Sequence, residues 1–87
     1  MKYIILAGPN GEAPVLFPRE FMHRYVAELF SPMPVVAAGF VRSTPDGPEC
    51  YGTSSGLKIV SRGNRDTALV AEALKAGEPG GQGGQGG

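Results

Sequence analysis

Apolar positions fall into two similar blocks along the chain. Tyr3 to Ala7 form an unbroken apolar run closed by Gly8-Pro9-Asn10-Gly11. A shorter run, Pro14 to Phe17, leads through Pro18 to apolar residues at Phe21, Met22, Tyr25, Val26, Leu29 and Phe30. The order then recurs: Val35 to Val41, the turn Pro45-Asp46-Gly47, a run ending near Val60, and a narrow stripe of Leu69, Val70, Ala73 and Leu74. Runs rich in β-branched and aromatic residues between Gly, Pro, Asn and Asp clusters read as strands. Apolar spacings of three and four read as helix. The pattern predicts an α+β fold in the order ββαββα, with a four-stranded, mainly antiparallel sheet and both helices packed on one face. The halves share this architecture without being a strict repeat, since the extra length sits in the fourth strand.

Details sharpen the elements. The first and third strands are apolar on both sides: Val36, Ala38 and Phe40 alternate with Val35, Ala37 and Val41. Gly39 between them allows another backbone to approach. Pro18 suits the first turn of a helix, and the six apolar residues after it cover a stripe about half the circumference wide. Glu20–Arg24 and Arg24–Glu28 have the spacing of helical ion pairs on the opposite side. Glu49 to Val60 reads as one long strand, with a bulge or bend near Gly52 to Gly56. Asn64 or Asp66 can cap the last helix, which ends near Lys75 and Gly77. Residues 1–76 make one α+β domain, and 77–87, rich in Gly and Gln, read as a disordered tail.

Helices on a single face leave the other sheet face bare, with Tyr3, Ile5, Val35, Ala37 and Val41 as its apolar residues. A patch of several hundred Å² is uncommon on a monomer, and a twofold homo-oligomer would cover it with one surface serving both partners. The alternative is that the helices divide between the two faces, or that the tail side covers the patch, either of which shelters it within one chain.

Composition narrows the function. The chain has 87 residues and zero formal charge, which recommends neither nucleic acid nor an anionic membrane as partner. The apolar N-terminal run is too short for a signal sequence, and no run approaches the roughly 20 residues of a membrane span. A soluble cytoplasmic protein is expected. Its single cysteine forms no internal disulfide and suits a reducing compartment.

Candidate chemistry is sparse. Gly52-Thr53-Ser54-Ser55-Gly56 has the letters G-x-S-x-G, but no helix follows directly and no histidine lies downstream, so a nucleophile elbow is not indicated. His23 and Cys50 could in principle form a thiolate–imidazole pair. They read more simply as a partly buried structural histidine and a small strand residue. Soft ligands are too few for a metal, and no cofactor motif is present. Ser61, Arg62, Asn64 and Arg65 open a helix, where free N–H groups favour anions, and Arg42 lies on a neighbouring strand. These five are the candidate site for a phosphorylated ligand; the competing reading is a solvated helix start with Asp66 already supplying the negative charge.

Leu16-Phe17-Pro18, His23, Ala38-Gly39-Phe40-Val41, Cys50-Tyr51-Gly52, Ser54, Leu57, Ser61-Arg62 and Asp66 resemble a group of short proteins encoded by tailed phages and prophages, over Met1 to about Leu74. The resemblance implies a setting in which small accessory proteins bind and disable host factors, including defence systems, or sequester nucleotide signals. It brings no assigned activity and no functional residues. The reading that follows is a non-enzymatic phage accessory protein in the host cytoplasm that binds a host factor as a homo-oligomer, with inhibition of host defence as its expected role. The alternative is a small-ligand binder that sequesters a phosphorylated nucleotide.

Overall fold

A strand with apolar residues on both sides is stable only when both sides are covered. β1 (Lys2–Gly8) takes such a place. In the computed structural model, which describes residues 1–77, it lies inside a four-stranded antiparallel sheet ordered β2-β1-β3-β4. Its partners are β2 (Gly11–Phe17), β3 (Val35–Thr44) and β4 (Gly47–Tyr51). β1 and β2 form a hairpin in register from Lys2 opposite Phe17 to Gly8 opposite Gly11, with Pro9-Asn10 as its turn. β3 joins the other edge of β1, pairing Lys2 with Phe40 and Ile5 with Ala37. The register shifts between Ile5 and Leu6, leaving Val36 as the extra residue of a bulge. Helix α1 (His23–Leu29), a small hairpin of β5 (Thr53–Ser54) and β6 (Ile59–Val60), and helix α2 (Asn64–Gly77) complete the order.

Side chains of β1 alternate between two cores. Tyr3 and Ile5 meet Ala37, Cys50 and Val70, with Leu16, Val41 and Leu69 around them. Ile4 and Leu6 meet Phe17, Val26 and Ala38, ringed by Val35, Phe30, Leu57 and Ile59. α2 therefore covers one face, while α1 and the β5–β6 hairpin cover the other. This corrects the expectation of both helices on one face. The apolar patch predicted to seek a second chain is inside the fold: Tyr3, Ile5 and Ala37 are fully buried, and Val35 and Val41 are half-buried. The reason lies in β1 and β3 themselves. Each large apolar side chain left in water forgoes about 1.5–3 kcal/mol, so two double-sided strands draw one helix to each side.

The predicted fourth strand is also divided, and the observed order is ββαββββα. β4 pairs with β3 from Gly47 to Tyr51. Gly52, at φ +86°, then takes a left-handed conformation that turns the chain off the sheet. The bend expected near Gly52 is real, but its effect is to build a separate hairpin. Thr53 and Ser54 pair with Val60 and Ile59, and Leu57 and Ile59 pack into the Ile4–Leu6 core.

α1 is shorter than its apolar spacing predicts. Pro18 to Met22 form a turn, with the Phe21 N–H on the Pro18 oxygen at 3.1 Å. The Phe21 carbonyl, which a longer helix would aim at the Tyr25 N–H, accepts from Lys2 Nζ at 2.8 Å. Glu20 thus lies outside the helix, and neither Glu20–Arg24 nor Arg24–Glu28 is among the ion pairs of the described residues. α2 runs to Gly77, and the rest of the predicted tail lies outside the described residues.

Gly39 is the tightest point of the sheet. A methyl group there would stand 2.5 Å from the Tyr51 carbonyl oxygen, 3.2 Å from Ser61 Cβ and 3.3 Å from Tyr3 Cε1. Gly39→Ala is expected to destabilise the fold by about 2 kcal/mol or more. Gly56→Ala, with nothing within 4 Å of the added carbon, should change stability by less than about 0.5 kcal/mol. Urea denaturation of the two variants measures both.

Candidate functional site

Arg62 organises the start of α2. Its guanidinium grips Glu12 of β2 with two bonds, Nη2 to Oε1 at 2.8 Å and Nη1 to Oε2 at 3.1 Å. Its Nε donates to Asp66 Oδ1 at 2.8 Å. Asp66 is fully buried. Its Oδ2 accepts the Arg62 backbone N–H at 2.8 Å and the Tyr3 hydroxyl at 2.5 Å. The phenol oxygen also lies 2.7 Å from Ser61 Oγ. A phenol has one proton and the carboxylate takes it, so Ser61 donates to Tyr3. Burial, and next the Asp66 bond, push the Tyr3 phenol far above its ordinary value. Hydrogen bonds from Arg62 hold Glu12 below the usual carboxylate range.

This geometry works against the predicted anion site. Arg65 reaches Glu12 at 3.4 Å, so two arginines face two carboxylates, and an incoming anion would have to displace one of them. Asn64 is exposed. Arg42 alternates with Val41 along β3 and so projects from the other side of the sheet. There it pairs with Glu49 at 2.7 Å and its guanidinium carbon lies 4.3 Å from the centre of the Tyr51 ring. Of the five residues, the structure brings together Ser61, Arg62 and Arg65, as structural partners; Arg42 is not near them. The network ties α2 to β1 and β2.

Cys50 and His23 are likewise apart. Cys50 belongs to the Tyr3 core under α2, and burial pushes its thiol up, away from the reactive thiolate. His23 lies on the opposite side, held edge-on between Phe17 and Phe40 with ring centres 5.5 and 5.6 Å away. Among the described residues no three of His, Cys, Asp and Glu cluster as metal ligands, and no helix is long and apolar enough to cross a membrane.

Two features on the α1 side replace the predicted sites. His23 is the first residue of α1 and is buried, at 6% exposure. Its ring lines a cleft of about 310 Å³ together with Lys2, Arg24, Phe40, Thr53, Ser54 and Ser55. Its Nε2 lies 2.8 Å from the Gly39 carbonyl oxygen. A carbonyl only accepts, so Nε2 carries the proton and Nδ1 is a bare acceptor. The second feature is the outer surface of α1 and of the turn that leads into it. Met22 and Leu29 are each 64% exposed, Tyr25 50% and Phe21 46%, and the Phe21 and Tyr25 rings stack 5.9 Å apart at 17°. The signal for this second feature was present in the sequence: a stripe covering half of a helix is wider than one sheet contact buries. The structure divides that stripe into an inner pair, Val26 and Phe30, and an outer set.

Compared with known proteins, the chain matches no family model, no curated protein and no solved structure.

Arg62→Met removes the ionic partner of a fully buried carboxylate and should destabilise the protein by about 3 kcal/mol. The change should appear as a lower urea midpoint at unchanged slope. Arg65→Ala removes a side chain that is 66% exposed and should alter stability by less than about 0.5 kcal/mol.

His23 makes stability depend on pH. Burial lowers its proton affinity below the ordinary value of 6.5. The unfolded chain therefore binds the proton more tightly than the native one. The stabilisation from neutral His23 is complete above pH 6.5 and is lost as pH falls through the depressed native value. Thermal melts at pH 5 to 8 should show this decline in the wild type and a flatter profile in His23→Gln.

Proposed function

We propose that this chain is a non-enzymatic binding protein that docks on a partner protein through the outer face of α1. The observation that carries the reading is the exposed row Phe21, Met22, Tyr25 and Leu29. It is apolar, contiguous and preorganised by the Phe21–Tyr25 stack. Neighbouring residues on a short helix and the turn before it, presented with aromatic anchors, suit insertion into an apolar groove of a folded partner. The resemblance to small phage and prophage proteins makes a host protein the expected owner of that groove, and occupation of the groove is then the mechanism of inhibition. Self-association through the sheet has lost its basis, because Tyr3, Ile5 and Ala37 are beneath α2.

Binding rather than chemistry is supported by the dispersal of reactive groups. The imidazole and the thiol occupy opposite sides of the sheet. Ser54 is 1% exposed and its oxygen accepts the Leu57 N–H at 3.3 Å. Among the described residues, no acid, base and nucleophile converge on one cleft.

Photo-crosslinking tests the docking face. Benzoylphenylalanine is introduced at Tyr25 and, as a control, at exposed Ala68 on the α2 side, and natural host cells are irradiated. A discrete adduct with a different protein at position 25 alone is expected, and Leu29→Glu should abolish it without changing the melting temperature. An adduct of two copies of this chain would replace the partner by self-association. Equal, diffuse labelling at both positions would sink the reading.

A further inference from the structure

We propose that the cleft between α1 and the β5–β6 hairpin is a binding site for a tetrahedral oxyanion, a phosphate or sulfate group, with the His23 imidazole Nδ1 as a ligand. The lining is one-sided in charge. It includes Lys2 and Arg24 and three hydroxyl groups, Thr53, Ser54 and Ser55, and no carboxylate. Arg24 forms no ion pair among the described residues. Lys2 Nζ donates one hydrogen bond, to the Phe21 oxygen, and an ammonium has three to give. In this respect the cleft is the reverse of the Arg62 cluster, where carboxylates match the cations.

Two buried polar groups on this cleft have capacity that the fold does not use. His23 is 6% exposed; Nε2 is engaged by Gly39, and Nδ1 has no partner among the described residues. Ser54 is 1% exposed; its oxygen accepts from Leu57, while its proton has no acceptor among the described residues. A buried polar group left unpaired is costly, and here two such groups share one opening. A phosphate-sized anion satisfies both: it accepts the Ser54 proton, and it accepts from Nδ1 once that atom is protonated.

The chemistry fixes a linkage. Without ligand, burial and then the positive charge of Lys2 work against imidazolium, while the Gly39 carbonyl favours it. Lys2 from β1 and Arg24 from α1 are the charged groups lining the cleft; β3 and the hairpin bring Phe40 and hydroxyls, and β2 sets Phe17 against the ring. An anion beside Nδ1 reverses the balance, because it stabilises the cation that burial opposed. Binding therefore takes up a proton, and protonation strengthens binding by the same factor. The half-buried Phe40 ring in the lining gives a flat apolar contact for a group attached to the phosphate.

The chain has one histidine, so its imidazole NMR signals need no assignment. Titration from pH 5 to 8 is run with sulfate, whose charge is constant in that range, against chloride at equal ionic strength. The His23 midpoint should rise with sulfate by about one unit, and sulfate affinity should increase about tenfold as pH falls through the bound midpoint, levelling below the free one. His23→Gln should remove the pH dependence of binding, and Arg24→Gln, a change at an exposed rim residue, should weaken binding in a folded protein. Tighter binding of AMP than of sulfate would identify a phosphorylated nucleotide as the source of the anion, and equal binding would identify the free ion. A His23 midpoint indifferent to tens of millimolar sulfate and AMP overturns the proposal and leaves the α1 docking face untouched.

Discussion

Everything in the fold is arranged around β1, a strand that tolerates water on neither side. Tyr3, Ile4, Ile5 and Leu6 are consecutive and all buried, so the strand requires a roof and a floor. α2 supplies one through Val70 and Leu69, and α1 with the β5–β6 hairpin supplies the other through Val26, Phe30, Leu57 and Ile59. In a small domain each layer is thin. The α1 layer is a seven-residue helix beside a hairpin of two-residue strands, whereas α2 has 14 residues. Unequal covers on the two faces underlie the difference in their chemistry.

On the α2 side, polar groups are matched as closely as apolar ones. Asp66 receives three donors from Tyr3 and Arg62, and Glu12 returns the charge of Arg62 from the edge strand. A buried ionic network of this kind adds little net stability over an apolar equivalent, but removing one member is expensive because the others stay buried. Its effect is positional. Tyr3 couples the central strand to the first turn of α2, and Glu12 couples the edge strand to the same arginine. Arg62, which helps this segment look anion-seeking in sequence, is taken up in holding the helix down.

The architecture was readable as far as local patterns carry it. Both hairpin turns, the amphipathic segments, the close approach at Gly39 and the bend at Gly52 follow from residue types whose conformational demands are local. The placement of the helices departs from the one-face expectation, yet its cause is visible in the sequence: β1 and β3 are apolar on both sides, and that pattern itself argues against a bare face. The strand from Glu49 to Val60 could not be divided from its letters, because nothing local says that Gly52 leaves the sheet instead of bulging within it. Arg62 and Asp66, four residues apart, are a visible pair, but Glu12, fifty positions from Arg62, is brought to them only by the β1–β2 hairpin. Partnership over that distance decides whether a basic loop is a site or a brace. The cleft was beyond reach for the same reason, since β1, α1 and β5 meet there from distant parts of the chain.

A domain of this size has about 5–15 kcal/mol of net stability, which makes unused capacity on its surface informative. Around Arg62 on the α2 side, carboxylates, phenol and guanidinium satisfy one another. Among the described residues, the α1 side leaves an apolar row facing water, a buried imidazole nitrogen and a buried hydroxyl without partners, and an arginine without a carboxylate. Departures from local consistency concentrate where a protein does its work, and here they concentrate on one short helix. The same helix that caps the Ile4–Leu6 core with Val26 and Phe30 presents Tyr25 and Leu29 outward and His23 sideways into the cleft.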